Sequence, residues 1–202
     1  MQTLKSCLSH QKSLIVAIMA LLLLNLSGCA INYKDVPDYT QAPSKYAVSE
    51  KVLYKINKLP VFTSGGLGAV DAALRDSRVF RNLKPYYETD IPKTGIYIQV
   101  DTEYKAPDMP AVVFGYASVA TLTLLPAWSN NDGFNIFYRI YIDGVLVKTL
   151  PYESRRFIAA WIVLLPFAWV NFMTNDEEDA FYAITYGFIK DAQPYLTRTL
   201  NN

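Results

Sequence analysis

An alternation of apolar and more polar residues predicts two strands in the first half of the chain. Over residues 95–105, Ile96, Ile98 and Val100 would face one side of a sheet, with more polar residues between them. A shorter alternation over residues 51–57 predicts another strand. A period of two is typical of strands with one buried face, so these stretches indicate a sheet that packs against other elements on one side.

Two later stretches, 134–142 and 145–150, alternate in the same way and are separated only by Asp143 and Gly144. An Asp-Gly pair between two strands is typical of a type I′ turn, which needs positive φ at both residues. We therefore predict an antiparallel hairpin that pairs with the strand at 95–105.

Helical spacing of apolar residues appears in two further places. One is the stretch 69–78, which follows a glycine-rich run. The other begins in the acidic run 176–179, whose charges complement the N-terminus of a helix, and extends over 177–192. Its buried stripe is expected to contain Phe181, Ile184, Phe188, Ile189 and Ala192. Pro194 is expected to bend or end this helix. Together the patterns predict an α+β fold, with a small, mostly antiparallel sheet covered by helices in a single domain over 51–202.

Two segments without charged residues, 111–128 and 157–173, are unusual in a small soluble domain. As helices they would measure about 27 and about 25 Å, slightly less than the hydrocarbon core of a bilayer. Each contains a proline followed closely by tryptophan, which prefers the membrane interface. Three interpretations stay open: helices that dip into or lie on the membrane, a hairpin that spans the inner membrane, and ordinary core helices. We expect two hydrophobic, membrane-associated helical segments.

The first 28 residues have the composition of a secretory signal peptide. Two lysines precede a continuous apolar run over 14–24, and residues 26–29 read LSGC. This ending resembles the lipobox of bacterial envelope lipoproteins, which implies cleavage between Gly28 and Cys29 and acylation of the Cys29 thiol. Two or more acyl chains are enough for stable membrane anchoring. The resemblance therefore implies a lipoprotein held on a membrane through Cys29.

The residue after this cysteine bears on the destination. By resemblance to enterobacterial sorting, Asp at that position retains a lipoprotein in the inner membrane, whereas this chain has Ala30. We therefore expect the outer membrane and its periplasmic face. Residues 29–50 are polar and broken by Pro37 and Pro43, which predicts a tether between the lipid and the domain.

Processing would also remove most of the chemistry available for catalysis. Cys7 and His10 would leave with the signal peptide, and the lipid would occupy the sulfur of Cys29. Histidine-dependent triads, cysteine nucleophiles, histidine-ligated zinc and disulfides are then excluded, and no metal or cofactor is expected. The formal charge of +1, from 19 basic and 18 acidic residues, gives no support for nucleic-acid binding.

Residues 72–83, AALRDSRVFRNL, follow the order helix, short turn, then Phe entering a strand. This pattern resembles small α/β domains of the bacterial envelope, namely the N-terminal domain of TolB and the α/β unit of the curli secretion lipoprotein CsgG. The resemblance covers about residues 50–106 and implies the fold class alone.

Four groups of residues are candidates for a site, and each has a structural interpretation beside the functional one. Asp101 and Glu103 would share a strand face and could form an acid/base pair, or simply a solvated face. The run 64–68 could bind an anion or form a turn, and 176–179 could bind calcium or open a helix. Four tyrosines could mark a glycan-binding or protein-binding face, or serve strands and interfaces: Tyr86, Tyr87, Tyr138 and Tyr141.

The sequence favours a lipid-anchored accessory, assembly or binding factor of the envelope, without catalytic activity. The expected partners are membrane lipid, through acylated Cys29 and the apolar segments, and an unidentified envelope protein. Two alternatives stay open: an enzyme acting on periplasmic glycan or lipid through Asp101 and Glu103, and a polytopic inner-membrane component.

Overall fold

The structure is a computed structural model that describes residues 29–34, 36–37, 48–57 and 65–197. The predicted signal peptide, including Gly28, and Ser64 of the glycine-rich run lie outside the described residues. In chain order the elements are β1 (Cys29–Lys34), β2 (Val48–Ile56), α1 (Gly66–Asp76), β3 (Phe80–Pro85), β4 (Ile96–Lys105), α2 (Met109–Ala120), β5 (Ala127–Ile142), β6 (Val145–Ala160), a 3₁₀ helix (Ile162–Met173) and α3 (Glu177–Thr197).

The described strands form one six-stranded sheet in the order β1-β6-β5-β4-β2-β3. β2 is parallel to both of its neighbours, β3 and β4. The crossover through α1 makes the β2–β3 pair parallel, because it carries the chain back from the end of β2 to the start of β3. The other three pairings are antiparallel. The predicted α+β class is confirmed, and the sheet is mixed.

The core lies between one face of the sheet and the two helices α1 and α3. The alternation over 95–105 is confirmed, because Ile96, Ile98 and Val100 are fully buried on this face. The predicted apolar stripe of α3 is also buried. Within the core, Tyr138 of β5 stacks on Phe188 of α3 with ring centroids 4.1 Å apart. Burial of each large side chain contributes about 1.5–3 kcal/mol, so this layer supplies most of the stabilisation.

The predicted hairpin is confirmed at its turn. Asp143 and Gly144 have φ of 49° and 80°, as a type I′ turn requires. The Asp143 carboxylate also accepts a hydrogen bond from the backbone N–H of Gly95, at 2.8 Å. Both strands are longer than predicted, at 16 residues each.

The expectation of two long apolar helices is wrong. α2 ends at Ala120, and residues 127 and 128 already belong to β5. Residues 157–160 belong to β6, and the next element is a 3₁₀ helix with Pro166 inside it. A hairpin spanning the membrane is contradicted as well, because β5, which lies between the two segments, pairs with β4 over ten positions. Among the described residues, no helix has both the length and the apolar character needed to cross a bilayer.

Two smaller expectations also need correction. Residues 29–34 of the predicted tether form the edge strand β1, paired with β6 from Cys29↔Ala160 to Lys34↔Arg155, and residues 48–50 open β2. Pro194 does not end α3, which continues to Thr197. Leu196, beyond the proline, is fully buried, and this packing offsets the backbone hydrogen bond that proline cannot make.

Candidate functional site

Cys29 lies in the last cross-strand row at one end of the sheet. It is directly opposite Ala160 of β6, which is in turn opposite Ala127 of β5. The Cys29 carbonyl accepts a hydrogen bond from the Asn171 side-chain amide at 2.5 Å. Partial burial raises the pKa of the Cys29 thiol. The backbone of the predicted lipidation site is therefore held by the domain itself.

Exposed hydrophobic side chains are concentrated around this end of the sheet. They belong to two stretches, 109–128 and 161–173, which we call the apolar cap. Its large exposed side chains are Met109, Val113, Phe114, Tyr116, Val119, Leu122, Leu124, Leu125, Trp128, Trp161, Ile162, Val163, Phe167, Trp169, Phe172 and Met173. Phe172 is the most exposed, at 92%. Soluble monomers rarely expose so large an apolar patch without a binding function.

Direct contacts join the two stretches of the cap. The Ile162 backbone N–H donates to the Thr123 carbonyl at 2.9 Å, and the Trp161 indole N–H donates to the Leu124 carbonyl at 3.3 Å. Phe114 and Trp128 stack with ring centroids 5.6 Å apart. The cap is therefore one surface built from α2, the start of β5 and the 3₁₀ helix.

The same surface is continuous with β1. The Ile31 backbone N–H donates to the Asn171 side chain at 3.0 Å, and the Thr174 hydroxyl donates to the Ile31 carbonyl at 2.8 Å. Neither 109–131 nor 157–175 contains a charged residue. Cys29 therefore borders an apolar surface, and the two stretches that form this surface carry no charged side chain.

A buried polar cluster fixes β1 to the body of the domain. The Tyr33 hydroxyl donates to the Glu177 carboxylate at 3.1 Å, and the same carboxylate accepts the Gly66 backbone N–H at 3.1 Å. Burial, and secondly the charge of Glu177, raise the pKa of Tyr33 well above its usual range. Beside them, Arg156 pairs with the buried Asp132 at 2.8 Å. β1 is thus coupled to α1, α3, β5 and β6.

This cluster also bears on the anion-site interpretation of the glycine-rich run. Gly65 caps α1 with φ of 112°, and the first helical N–H, that of Gly66, is bound by Glu177. A carboxylate from the chain itself therefore occupies the position that a phosphate would take. The described part of the run, 65–68, acts as a turn and helix start.

Asp101 and Glu103 do share one face of β4, as predicted, but the structure does not make them a pair. Asp101 forms an ion pair with Arg139 and accepts a hydrogen bond from Asn57. A third donor is the Gln99 amide, at 3.0 Å. Glu103 is exposed. Three neighbouring side chains bind the carboxylate oxygens of Asp101. This arrangement favours the structural interpretation, a polar face of the sheet, over a role as an acid or base.

The acidic run at 176–179 forms the start of α3. The Asp179 backbone N–H donates to the Asp176 carboxylate at 2.8 Å, and the Asp176 N–H donates to the Asp179 carboxylate at 3.3 Å. This reciprocal arrangement is a capping box. Within the described part of the chain, no group of three or more His, Cys, Asp or Glu residues is placed to hold a metal ion.

The four tyrosines do not form one surface. Tyr138 is in the core, where its hydroxyl bonds Thr185 at 2.7 Å. Tyr86 and Tyr141 both pack against Tyr97 on the face of the sheet away from the helices, with ring centroids 5.5 and 5.7 Å from that of Tyr97. Tyr87 is 87% exposed and stands alone among them.

Sequence reasoning missed an open cleft of about 480 Å³ where β2 and β3 end. Its walls include Tyr54, Asp71 and Arg75. The Tyr54 hydroxyl donates a hydrogen bond to the Asp71 carboxylate and accepts one from the Arg75 guanidinium. Burial, and secondly the bond to Asp71, raise the pKa of Tyr54 to about 12. The only signal was the four-residue spacing of Asp71 and Arg75, which is also common on ordinary helix surfaces.

No family model and no curated protein matches this sequence. Among solved structures, the chain is similar to a minor lipoprotein of Acinetobacter baumannii, at 8% identity and a TM-score of 0.36 over 69% of this chain and 88% of that one. It is also similar to a Xanthomonas campestris protein of the family DUF330, at 12% identity and a TM-score of 0.39 over 82% and 94%. A PelC dodecamer of Paraburkholderia phytofirmans matches at 9% identity and a TM-score of 0.25 over 73% and 99%. Likenesses this distant carry no argument about activity.

Proposed function

We propose that this protein is a lipid-anchored lipoprotein of the bacterial envelope whose domain lies directly against the membrane. Acylated Cys29 supplies the anchor, and the apolar cap enters the interface between headgroups and acyl chains. The observation that carries this proposal is the position of Cys29, the cysteine of the LSGC motif: it begins the edge strand β1 at the end of the sheet where the apolar cap lies.

The composition of the cap supports a lipid surface. Trp128, Trp161 and Trp169 are all exposed there, and tryptophan is enriched where a protein meets the membrane interface. α2 is only 12 residues long and apolar on nearly all sides, which suits an interfacial element. Lipid and cap together would hold the domain in one orientation.

The role we propose is that of a non-catalytic accessory or binding factor, on the periplasmic face and with the outer membrane as destination because Ala30 follows the cysteine. Membrane lipid is the first partner, and an envelope protein is the second. The engagement of Asp101 by Arg139 supports this role over an enzyme with paired carboxylates.

The anchor is tested by mass spectrometry of the mature N-terminus. We expect an acylated Cys29 as the first residue, and an uncleaved precursor when Cys29→Ser removes the thiol. An unmodified Cys29, or cleavage at another bond, would contradict the lipoprotein assignment.

The cap is tested without the lipid. A chain beginning at residue 29 with Cys29→Ser, exported behind a cleavable non-lipid signal, is expected to sediment with membranes. Phe172→Asp with Leu122→Asp should release it, because both side chains are more than four-fifths exposed in the cap. Tyr87→Asp places a carboxylate at a residue that is 87% exposed outside the cap, and as a control it should have no effect. Soluble behaviour of the lipid-free parent would refute the contribution of the cap.

A further inference from the structure

A row of basic residues crosses the sheet beside the apolar cap. Lys34 of β1 is opposite Arg155 of β6, Arg155 is opposite Gly133 of β5, and Gly133 is opposite Lys105 of β4. Directly opposed residues in a sheet project from the same face, so the three cationic side chains share one face. Glycine leaves a gap between Arg155 and Lys105.

Arg155 is held by neighbouring side chains within the sheet. It pairs with Glu153 at 2.7 Å and donates to the Asn135 side chain at 2.8 Å, and its side chain is only 12% exposed. Glu153, Asn135 and Glu103 form the next row on that face, farther from the cap. The acidic groups of this face therefore lie on the side of the basic row away from the cap.

Lys34 and Lys105 instead extend toward the cap. The Lys34 ammonium is 3.4 Å from the Asn130 carbonyl oxygen and 5.7 Å from the centre of the Phe157 ring. The Lys105 ammonium is 3.4 Å from the Asn131 side-chain oxygen. Neither lysine forms an ion pair with any residue of the described ranges.

The order of chemistry along the sheet matches that of a membrane surface. Cys29 and the apolar cap come first, with Trp128 at the border of the cap, then the two asparagines with the lysine ammonium groups, and then the carboxylates of the next row. A bilayer presents hydrocarbon, then an interface that tryptophan prefers, then phosphates. Carboxylates placed farther out avoid repulsion by those phosphates.

We propose that Lys34 and Lys105 bind the phosphates of anionic phospholipids while the apolar cap enters the same leaflet. This inference rests on the proposed function, since the cap brings the lysines to the headgroup level. A basic residue near an anionic membrane surface strengthens binding about five-fold, and the effect falls off within a Debye length of about 8 Å at physiological salt. The two lysines together should therefore contribute about 25-fold.

The test uses the lipid-free chain 29–202 with Cys29→Ser, because every described helix and strand lies within 29–197. Its affinity is measured by co-sedimentation with vesicles of phosphatidylcholine alone and with vesicles in which part of it is replaced by phosphatidylglycerol. We expect tighter binding to the anionic vesicles. The double substitution Lys34→Gln with Lys105→Gln should lose about 25-fold there and little on the neutral vesicles.

Two controls separate charge from structure. Lys51→Gln with Lys84→Gln removes the same charge from exposed positions on β2 and β3 and should leave binding unchanged. Lys34→Arg with Lys105→Arg keeps the charge and should retain binding. Equal affinity of the parent for both vesicle types, or undiminished binding of the glutamine variant, would overturn the lysine inference and leave the proposed function standing. Failure to bind either vesicle type would overturn the membrane contact of the apolar cap in the proposed function, and this inference with it.

Discussion

Gly133 allows β5 and β6 to pair beside the basic row, and we predict that Gly133→Ala is severely destabilising. Its φ is +148°, a region that residues with a side chain rarely adopt. A Cβ there would lie 2.0 Å from the Ser154 carbonyl oxygen, 3.0 Å from the Ser154 carbonyl carbon and 3.1 Å from the Arg155 Cα. All three are backbone atoms of β6, so no side-chain rotation can relieve the overlap.

The cost of this substitution depends on the parts of the sheet that must move. The strands have to separate locally, which sacrifices one or two backbone hydrogen bonds at about 1 kcal/mol each. The unfavourable φ adds about 1–2 kcal/mol, and the disturbed packing of Phe134 next to it adds more. We therefore expect a loss of about 3–5 kcal/mol, a large part of the 5–15 kcal/mol that is usual for a domain.

The free energy of unfolding is measured by urea titration of the lipid-free chain in mild detergent, followed by circular dichroism. Gly68→Ala is the matched control, because a Cβ at that exposed position of α1 meets no atom within 4 Å. This change should be neutral or stabilise the protein by up to about 1 kcal/mol, as alanine favours helices over glycine. A loss below about 1 kcal/mol for Gly133→Ala would refute the steric reasoning.

Three further changes test other parts of the structure. Gly144→Val should cost more than about 1 kcal/mol in the same titration, because a branched side chain must take φ of 80° in the turn; an unchanged midpoint would refute the type I′ turn. Tyr33→Phe should cost about 1–3 kcal/mol, since the buried Glu177 carboxylate loses a donor, and amide exchange should rise first in β1; uniform exchange would contradict the role of Tyr33 in fixing β1. Asp101→Asn should lower stability by about 1 kcal/mol or less, because its ion pair with Arg139 is partly exposed, while Glu103→Gln should be neutral. A loss of cellular function in both variants, with each still folded, would favour the enzyme interpretation.

The elements that the sequence predicted well are those whose signal is local. The Asp143-Gly144 turn needs only its own two residues to have positive φ, and the alternation around Ile98 needs only one buried face. The apolar stripe of α3 is of the same kind. The start of α3 was also predictable, because the charge of the acidic run is a property of adjacent residues.

The elements that the sequence mispredicted depend on distant partners. Residues 157–160 are apolar with no alternation, and only their pairing with β1 and β5 makes them a strand. β1 itself contains the polar residues Asn32 and Lys34, which are as typical of a tether as of an edge strand; β6 supplies the hydrogen bonds that order it. Short apolar runs fit a buried strand as well as a helix, so length and composition could not separate the two.

The candidate site divides in the same way. The LSGC motif is contiguous and could be recognised directly, whereas the cap assembles from stretches separated by the whole β5-β6 hairpin. The basic row is less visible still, because Lys34 and Lys105 become neighbours in one row only through the register of four strands. Asp101 shows the opposite case: two carboxylates close in sequence suggested a site, and the neighbouring strand supplied the arginine that engages one of them.

The absence of a tether between Cys29 and the sheet has a consequence for the proposed function. A lipoprotein with a long flexible linker can reach partners far from its membrane, but here the carbonyl of Cys29, the residue proposed to carry the lipid, is bound by Asn171, and β1 is fixed through Tyr33. If Cys29 carries the lipid as proposed, the acyl chains and the apolar cap enter the membrane side by side, and the domain has little freedom to tilt. The hairpin turn at Asp143-Gly144 lies at the opposite end of β5 from Ala127, and hence from Cys29. In this orientation, the proposed envelope partner would either approach the end of the sheet far from the membrane or meet the protein at the membrane surface. Substitutions at Val145 and Leu146, both exposed beside the turn, should distinguish these two modes of binding.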